Sequence, residues 1–327
     1  FQDLFASWDK ASTLPQELRQ KLQHCFPIEE LKAEKVLVSE DNLTIKVLFE
    51  LEDGLKIETV LMKHGSVDSP QVGRQTVCVS SQVGCSIGCE FCATGQQGFK
   101  RNLSSGEILE QVLFFARLLN KNRERVSSIV FMGMGEPFLN YDNVLEAINI
   151  LNDKDGFNLG ARHISISTSG IVEGIKKFTK EKLQVNLAIS LHASNNALRS
   201  KLVPINEAYP LEKVLAAVEE YIQKTKRRVM FEYLMIDGVN DSLTQAKELA
   251  ELLKGLLCFV NLISFNPVGH CEFKPSPGWK IKKFKEVLER GGISVTQRYR
   301  FGREIKAACG QLVGSDPTIA IKHRRLP

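Results

Sequence analysis

The 327-residue sequence predicts an α/β protein: a partial (β/α)6 TIM-type barrel preceded by a small N-terminal α+β appendage. Two changes of hydrophobic period carry this reading. From Thr76 onward, apolar runs at Val77–Ser81, Ser128–Met132, His163–Thr168, Gln184–Ser190, Val229–Met235, Phe259–Phe265 and Ile293–Arg298 alternate with amphipathic stretches. The latter include Ser104–Leu119, Tyr141–Leu151, Leu211–Lys224, Thr244–Leu253 and Ile281–Glu289. Repeated βα units joined by right-handed crossovers make a parallel sheet. About six units is fewer than the eight of a closed barrel, so the barrel is expected to stay open, with working residues at the carboxyl ends of its strands. Before Thr76 the pattern differs. Leu14, Leu18 and Leu22 repeat at helical spacing behind Ser12 and Thr13. Leu43, Ile45, Val47, Phe49 and Leu51 then alternate with Thr44, Lys46, Leu48 and Glu50, and a turn at Asp53-Gly54 leads to a second strand over Lys56–Met62. The Ser/Pro/Gly-rich stretch Ser66–Arg74 reads as the connection. Three parts follow: an accessory unit over 1–70, the barrel over 71–303 and a C-terminal segment over 304–327.

Composition narrows the function. The chain is 43% hydrophobic and 25% charged, as in ordinary globular proteins. No apolar run approaches the ~18 residues of a membrane span. The opening segment carries Asp3, Asp9 and Lys10 without an apolar core, which is not the pattern of a secretory signal. Net charge is +5, but Trp279–Pro327 holds 12 Lys/Arg against 4 Asp/Glu, so the basic excess is confined to the last seventh of the chain. Such a segment suits a polyanion, most simply nucleic acid; a solvated face is the alternative.

Of the eight cysteines, Cys78, Cys85, Cys89 and Cys92 fall within fifteen residues. With no secretion pattern, metal or redox chemistry explains them better than a disulfide framework. The central signal is Cys85-Ser-Ile-Gly-Cys89-Glu-Phe-Cys92, directly after the first barrel strand. Three thiolates on one loop can hold three irons of a [4Fe–4S] cluster and leave the fourth open for a substrate. A zinc knuckle would need a fourth close Cys or His, and none stands nearby. Cys25, Cys258 and Cys271 match no pattern and read as structural. There is no P-loop, Ser/His/Asp signature or dinucleotide fingerprint.

The Cys-x3-Cys-x2-Cys loop resembles that of radical S-adenosylmethionine (SAM) enzymes. Around it stand Cys78-Val-Ser-Ser-Gln-Val-Gly-Cys85, Ala93-Thr-Gly-Gln-Gln-Gly-Phe-Lys-Arg-Asn-Leu103, Gly133-Met-Gly-Glu-Pro137, Ser167-Thr-Ser-Gly170, Ser190-Leu-His-Ala193, Gly238-Val-Asn-Asp241 and Ala307-Ala-Cys-Gly-Gln-Leu312. In this order they resemble the RlmN/Cfr family of RNA adenine methyltransferases, from about Glu34 to Gly314. The resemblance implies a [4Fe–4S] cluster on Cys85, Cys89 and Cys92, and two SAM molecules per turnover. It also implies SAM contacts at Gly135, Glu136, Ser167, Ser190, Leu191, His192 and Asn266.

Adenine carbon 2 is electron-poor and cannot attack a SAM methyl as a nucleophile, so a radical route is needed. As the resemblance implies it, Cys309 takes a methyl from the first SAM. A deoxyadenosyl radical from the second removes a hydrogen from that methyl, and the carbon radical adds to the RNA base. Glu58, in Ile57-Glu-Thr-Val60, accepts the ring proton. Cys78 then attacks the Cys309 sulfur, forming a disulfide and releasing product, which needs a second thiol within reach and with thiolate character. The implied partners are ribosomal RNA, tRNA and a low-potential electron donor such as flavodoxin, for a monomeric cytoplasmic enzyme. Carbon 8 methylation of the Cfr type, conferring ribosomal antibiotic resistance, is the competing activity. A non-catalytic iron–sulfur protein that binds RNA or senses redox state is the reading from another class. Pro137 and the run Gln96-Gln97-Gly98-Phe99 favour carbon 2.

Overall fold

The computed structural model describes residues 4, 5, 7–25, 28, 31–66, 69–269, 271–298, 302 and 304–314. Its centre is a ten-stranded sheet, antiparallel in its first half and parallel in its second. Helix α1 (Gln16–Cys25) precedes β1 (Lys32–Val38), β2 (Thr44–Glu50), β3 (Lys56–Ser66) and β4 (Ser69–Cys78), four consecutive antiparallel neighbours. The sheet continues without a break, because β4 also pairs in parallel with β7. Between them lie β5 (Gln82–Gly84), α2 (Ala93–Gln96), β6 (Phe99–Asn102) and α3 (Ser105–Asn120), followed by β7 (Ser128–Phe131). Then come α4 (Tyr141–Asn152), β8 (Ile164–Thr168), α5 (Val172–Phe178), β9 (Asn186–Ser190), α6 (Asn196–Leu202), α7 (Leu211–Thr225), β10 (Val229–Met235), α8 (Leu243–Leu252), β11 (Cys258–Ser264), α9 (Gly278–Arg290) and β12 (Ser294–Gln297).

Strands β4, β7, β8, β9, β10, β11 and β12 are parallel neighbours in that order, joined by six crossovers. That is the open six-unit barrel the periodicity predicts. Among the described residues β1 and β12 remain sheet edges, and no closed barrel forms. Local signals set the helix starts. Ser104 and Glu107 form a capping box on α3, as do Ser242 and Gln245 on α8. The inner parallel strands are buried on both faces, as covered parallel strands must be, while the edge strand β12 is largely exposed.

The first half departs from expectation in two places. Ser66–Arg74 is not a simple connection: Ser66 belongs to β3 and Ser69–Arg74 to β4, and the two strands pair antiparallel. Nor is β2 half-exposed. Thr44 and Lys46, on the polar side of its alternation, are buried. The apolar side packs on α3, where the Phe49 and Phe114 rings meet edge-on at 5.2 Å. The polar side is covered by the returning C-terminal segment, where Lys46 Nζ donates to the Lys306 carbonyl. A two-residue period reports one apolar face and carries no information about a partner from 260 positions away. The cationic tail beyond 314, with Lys322, Arg324 and Arg325, lies outside the described residues.

Candidate active site

The three-cysteine loop emerges at the carboxyl end of β4 and is held at its base by a short hairpin. Strands β5 and β6 pair Gln82 with Asn102, Val83 with Arg101 and Gly84 with Phe99. Gly84 has φ +74°, and a Cβ there would fall 1.8 Å from the Gly98 carbonyl oxygen, so only glycine closes this base. Arg101 fastens the hairpin through both oxygens of Glu107 (2.7 and 2.9 Å) and through Asp53 (2.5 Å).

Cys85, Cys89 and Cys92 all line one cavity of about 160 Å3 at the mouth of the parallel sheet. Burial pushes the Cys85 thiol up to about 12, holds Cys89 well above the ordinary thiol range and raises Cys92 as well. Among the described residues, no three Cys, His, Asp or Glu side chains converge on one metal-ion position. Three free, partly buried thiols that line one cavity are the donor set a [4Fe–4S] cluster requires.

The opposite wall is built from strand ends. Gly133 and Gly135 turn the chain after β7, and a Cβ on Gly135 (φ +99°) would lie 2.6 Å from the Gln82 side chain. Glu136 is buried and accepts from the Ser169 amide (2.7 Å), the Ser169 hydroxyl (2.8 Å) and the Phe138 amide (3.1 Å). Burial raises its carboxyl, while the Ser169 and Phe138 donors act in the other direction. The Ser167 and Ser190 hydroxyls lie 3.3 Å apart on β8 and β9. His192 sits at φ +59°, and its Nδ1 accepts from the Leu234 amide at 3.1 Å, which leaves the proton on Nε2. Burial drops the imidazole to about 3, so it is neutral at working pH. Arg199, fully buried behind this wall, donates to the backbone carbonyls of Ser169 and Leu191 and ties the two strand ends together.

The C-terminal segment completes the mouth. The Ala93 amide donates to the Gly310 carbonyl (2.8 Å), the Thr94 hydroxyl to Leu312 (2.6 Å), and the Gln97 amide group bonds Val313. These bonds seat Cys309 against the cysteine loop. Cys309 lines the first cavity and also a second, of about 40 Å3, together with Cys78. The two thiols, 231 positions apart in sequence, thus face one small space. Cys78 lies at the seam of the sheet, opposite Val60 on the antiparallel side and Val130 on the parallel side. Burial pushes its thiol up to about 12, so it stands as a neutral thiol rather than with the thiolate character expected.

Three further residues singled out in the sequence have the following places. Asn266 lines the Cys78–Cys309 space, where its amide donates to the Cys309 carbonyl at 3.3 Å. Leu191 is fully buried and lines neither cavity. Glu58 lies on β3. It is fully buried, paired with Lys46 at 2.7 Å, and accepts from the Val313 amide at 2.7 Å. The same C-terminal cover that buries Lys46 produces this.

Sequence reasoning missed Arg298 and Glu232. Arg298 lines both cavities and donates to Cys309 Sγ and Met132 Sδ, each at 3.3 Å. Burial opposes its charge, but Cys309, Glu232 and Cys78 outweigh that and hold it protonated. Glu232 lines the first cavity, accepts from Asn261 at 2.8 Å, and is raised by burial against the pull of Arg298. Arg298 closes the last predicted strand, so strand-end position was the available signal.

This fold and three-thiol mouth define a radical SAM protein. The family model of the Radical SAM superfamily matches residues 79–253. A protein of Bacillus pumilus designated a probable dual-specificity RNA methyltransferase RlmN is 50% identical over 306 residues, 94% of this chain and 83% of its own. The corresponding protein of Geobacillus kaustophilus is 50% identical over 95% of this chain and 83% of its own. The crystal structure of a radical SAM methyltransferase from Sphaerobacter thermophilus superposes with a TM-score of 0.92 at 46% identity, covering 96% of this chain and 90% of that one. The chain belongs to the RlmN family of radical SAM RNA methyltransferases.

Proposed function

We propose that the enzyme methylates carbon 2 of an adenosine in 23S ribosomal RNA and in tRNA, through S-methylated Cys309 and a covalent RNA–protein adduct. The observation that carries this is the place of Cys309, which lines the three-cysteine cavity on one side and the Cys78 space on the other. Cys85, Cys89 and Cys92 would hold a [4Fe–4S] cluster, which when bound would supply one-electron reducing chemistry toward SAM. Glu136, Ser167, Ser190 and neutral His192 offer acceptors and one imidazole N–H for the amino acid and nucleoside parts of SAM.

Within this reading Arg298 holds Cys309 Sγ toward the first cavity, and Asn266 fixes the backbone carbonyl of the same residue. Cys78 waits as a thiol on the far side and resolves the adduct last, with Arg298 the neighbouring cation that favours its ionised form as it reacts. Glu58 accepts the ring proton. Its carboxylate would exchange the Val313 amide and Lys46 for the RNA base as the C-terminal segment shifts. Residues 1–70 serve as the accessory unit, 71–303 as the radical core and 304–327 as the carrier of the methyl cysteine. The enzyme works as a cytoplasmic monomer with a flavodoxin-type donor.

The test is mass mapping of adenosines in ribosomal RNA and tRNA from cells with and without the gene. Loss of 2-methyladenosine in both RNAs is the expected result. Loss of 8-methyladenosine instead, or no change in either RNA, contradicts the proposal.

A further inference from the structure

Helix α9 begins the basic C-terminal part of the sequence, and its first turn carries Trp279, the most exposed large hydrophobic side chain among the described residues at 59%. Leu243, 47% exposed, stands at the start of α8, and both residues line an open pocket of about 590 Å3. From Phe273 to Lys285 the chain has five lysines and no acidic residue. Two of them crowd the indole, with Lys283 Nζ at 5.2 Å and Lys280 Nζ at 5.9 Å from its ring centroid.

The platform beneath is fixed. Lys280 pairs with Asp237 (2.7 Å) and Asp241 (3.2 Å), and Ser276 Oγ donates to Asp241 at 2.9 Å. The Asp237 amide donates to the Lys274 carbonyl at 2.8 Å, and Ile236 bridges Pro275. The segments that follow β10 and β11 are therefore stapled to each other. They leave the sheet at its carboxyl end, the same rim as the cysteine loop. The segment after β11 starts in the active site, where Asn266 holds the Cys309 carbonyl and Pro267 accepts from Gln311, and reaches Trp279 twelve residues after Pro267.

We propose that Trp279 is a stacking platform for an unpaired nucleobase of the RNA substrate, flanking the base that enters the pocket, with Lys283 as the adjacent phosphate contact. This rests on the enzyme acting on RNA. An exposed indole gives any base a π-face, and cations beside it meet the backbone charge that accompanies the base. Lys280 is committed to Asp237 and Asp241, so it holds the platform, while Lys283 supplies the free charge. A fully paired RNA has no base to offer, which makes the site selective for loops.

The experiment uses the chain's own fluorescence. In a Trp8→Phe background Trp279 is the one remaining tryptophan. The full-length protein is titrated with a hairpin RNA carrying an adenosine-rich loop, and with a fully paired duplex of equal length. The hairpin should quench Trp279 emission and the duplex should not. Trp279→Ser should weaken hairpin binding by about 5- to 100-fold, from about 1–3 kcal/mol per stacked base, with the salt slope unchanged. Trp279→Phe should retain most of the affinity, and Lys283→Gln should lower the salt slope by roughly 0.7–0.9. A parent protein that binds neither RNA overturns the RNA reading and this inference with it. Tight hairpin binding that leaves emission and affinity indifferent to Trp279 overturns the inference alone. Quenching by an acidic flavoprotein but not by the hairpin overturns it too, and assigns the surface to the electron donor.

Discussion

The two adjoining cavities at the mouth are built in opposite ways. The larger draws three of its four thiols from one eight-residue loop, pinned at its base by the β5–β6 hairpin, and shares the fourth, Cys309, with the smaller. The smaller draws its two from elements far apart in the chain: Cys78 from the first parallel strand, and Cys309 from a segment that folds back over the sheet. A cluster cradle needs a fixed triangle of ligands, and a short loop provides one. A relay that hands a group from one partner to another needs residues carried on separate elements, one of which can move. The hydrogen-bond pattern agrees. The cysteine loop is closed at its base by its own hairpin and also bonds α6, from the Glu90 amide to the Leu202 carbonyl, whereas the Cys309 segment is held by several bonds to other elements: Ala93, Thr94 and Gln97 around α2, Glu58 on β3 and Asn266 beyond β11.

Three changes sharpen that contrast. The largest effect belongs to the single-loop site. Cys89→Ala should abolish the iron–sulfur absorption after anaerobic reconstitution and all conversion of SAM to methionine and 5′-deoxyadenosine. The same variant should leave the smaller cavity in place, so that Cys309 stays reactive to iodoacetamide by peptide mapping. Full reconstitution of Cys89→Ala would separate the loop from the cluster.

Next comes the cover that holds Cys309. Lys46 and Glu58 are a buried pair, and removing one member strands a charge. Lys46→Ala should lower unfolding stability by about 3–5 kcal/mol in urea titrations, and Lys46→Met with Glu58→Gln should recover most of it. A single variant as stable as the parent would show that the pair is open to water and that the C-terminal segment does not seal it.

The smallest effect concerns the opposite wall. His192 has its folded pKa depressed to about 3 from an ordinary value near 6.5. Its unfolded form therefore binds a proton that the folded form refuses. The stability tied to neutral His192 is complete above pH 6.5 and is lost as pH falls toward 3, on the order of a few kcal/mol across that window. His192→Gln, which retains both a donor and an acceptor, should flatten the fall in stability between pH 6.5 and 4.5. An unchanged acid profile would assign that fall to other groups, His64 first among them, since burial also depresses it.

How far the sequence was legible follows from the same contrast. Periods of two and 3.6 carried the parallel strands and long helices to within one or two residues, apart from the first strand and the start of α9, which lies three residues earlier than expected, because a repeated βα unit encodes its own burial pattern. The cysteine loop was legible because its ligands are neighbours in sequence. Lys46 and Glu58 were not, since their burial depends on Val313 and Lys306, more than 250 positions away. The pairing of β3 with β4 was hidden by Ser66, Ser69, Pro70 and Gly73, residues of turn-forming type that stand in the strands themselves. Arg298 carried no motif. Its role comes from ending the last strand beside two sulfurs that only the fold assembles.

The central claim is that the shared wall of the two cavities carries the methyl group on Cys309 and that Cys78 acts only after RNA is attached. Cys78→Ala, expressed in cells and purified under denaturing conditions, tests it directly. Gel mobility with and without nuclease, followed by mass mapping of the retained fragment, should find RNA joined through one carbon to the peptide containing Cys309. Cys78→Ala recovered free of RNA, with adenosine methylation continuing, would contradict the account.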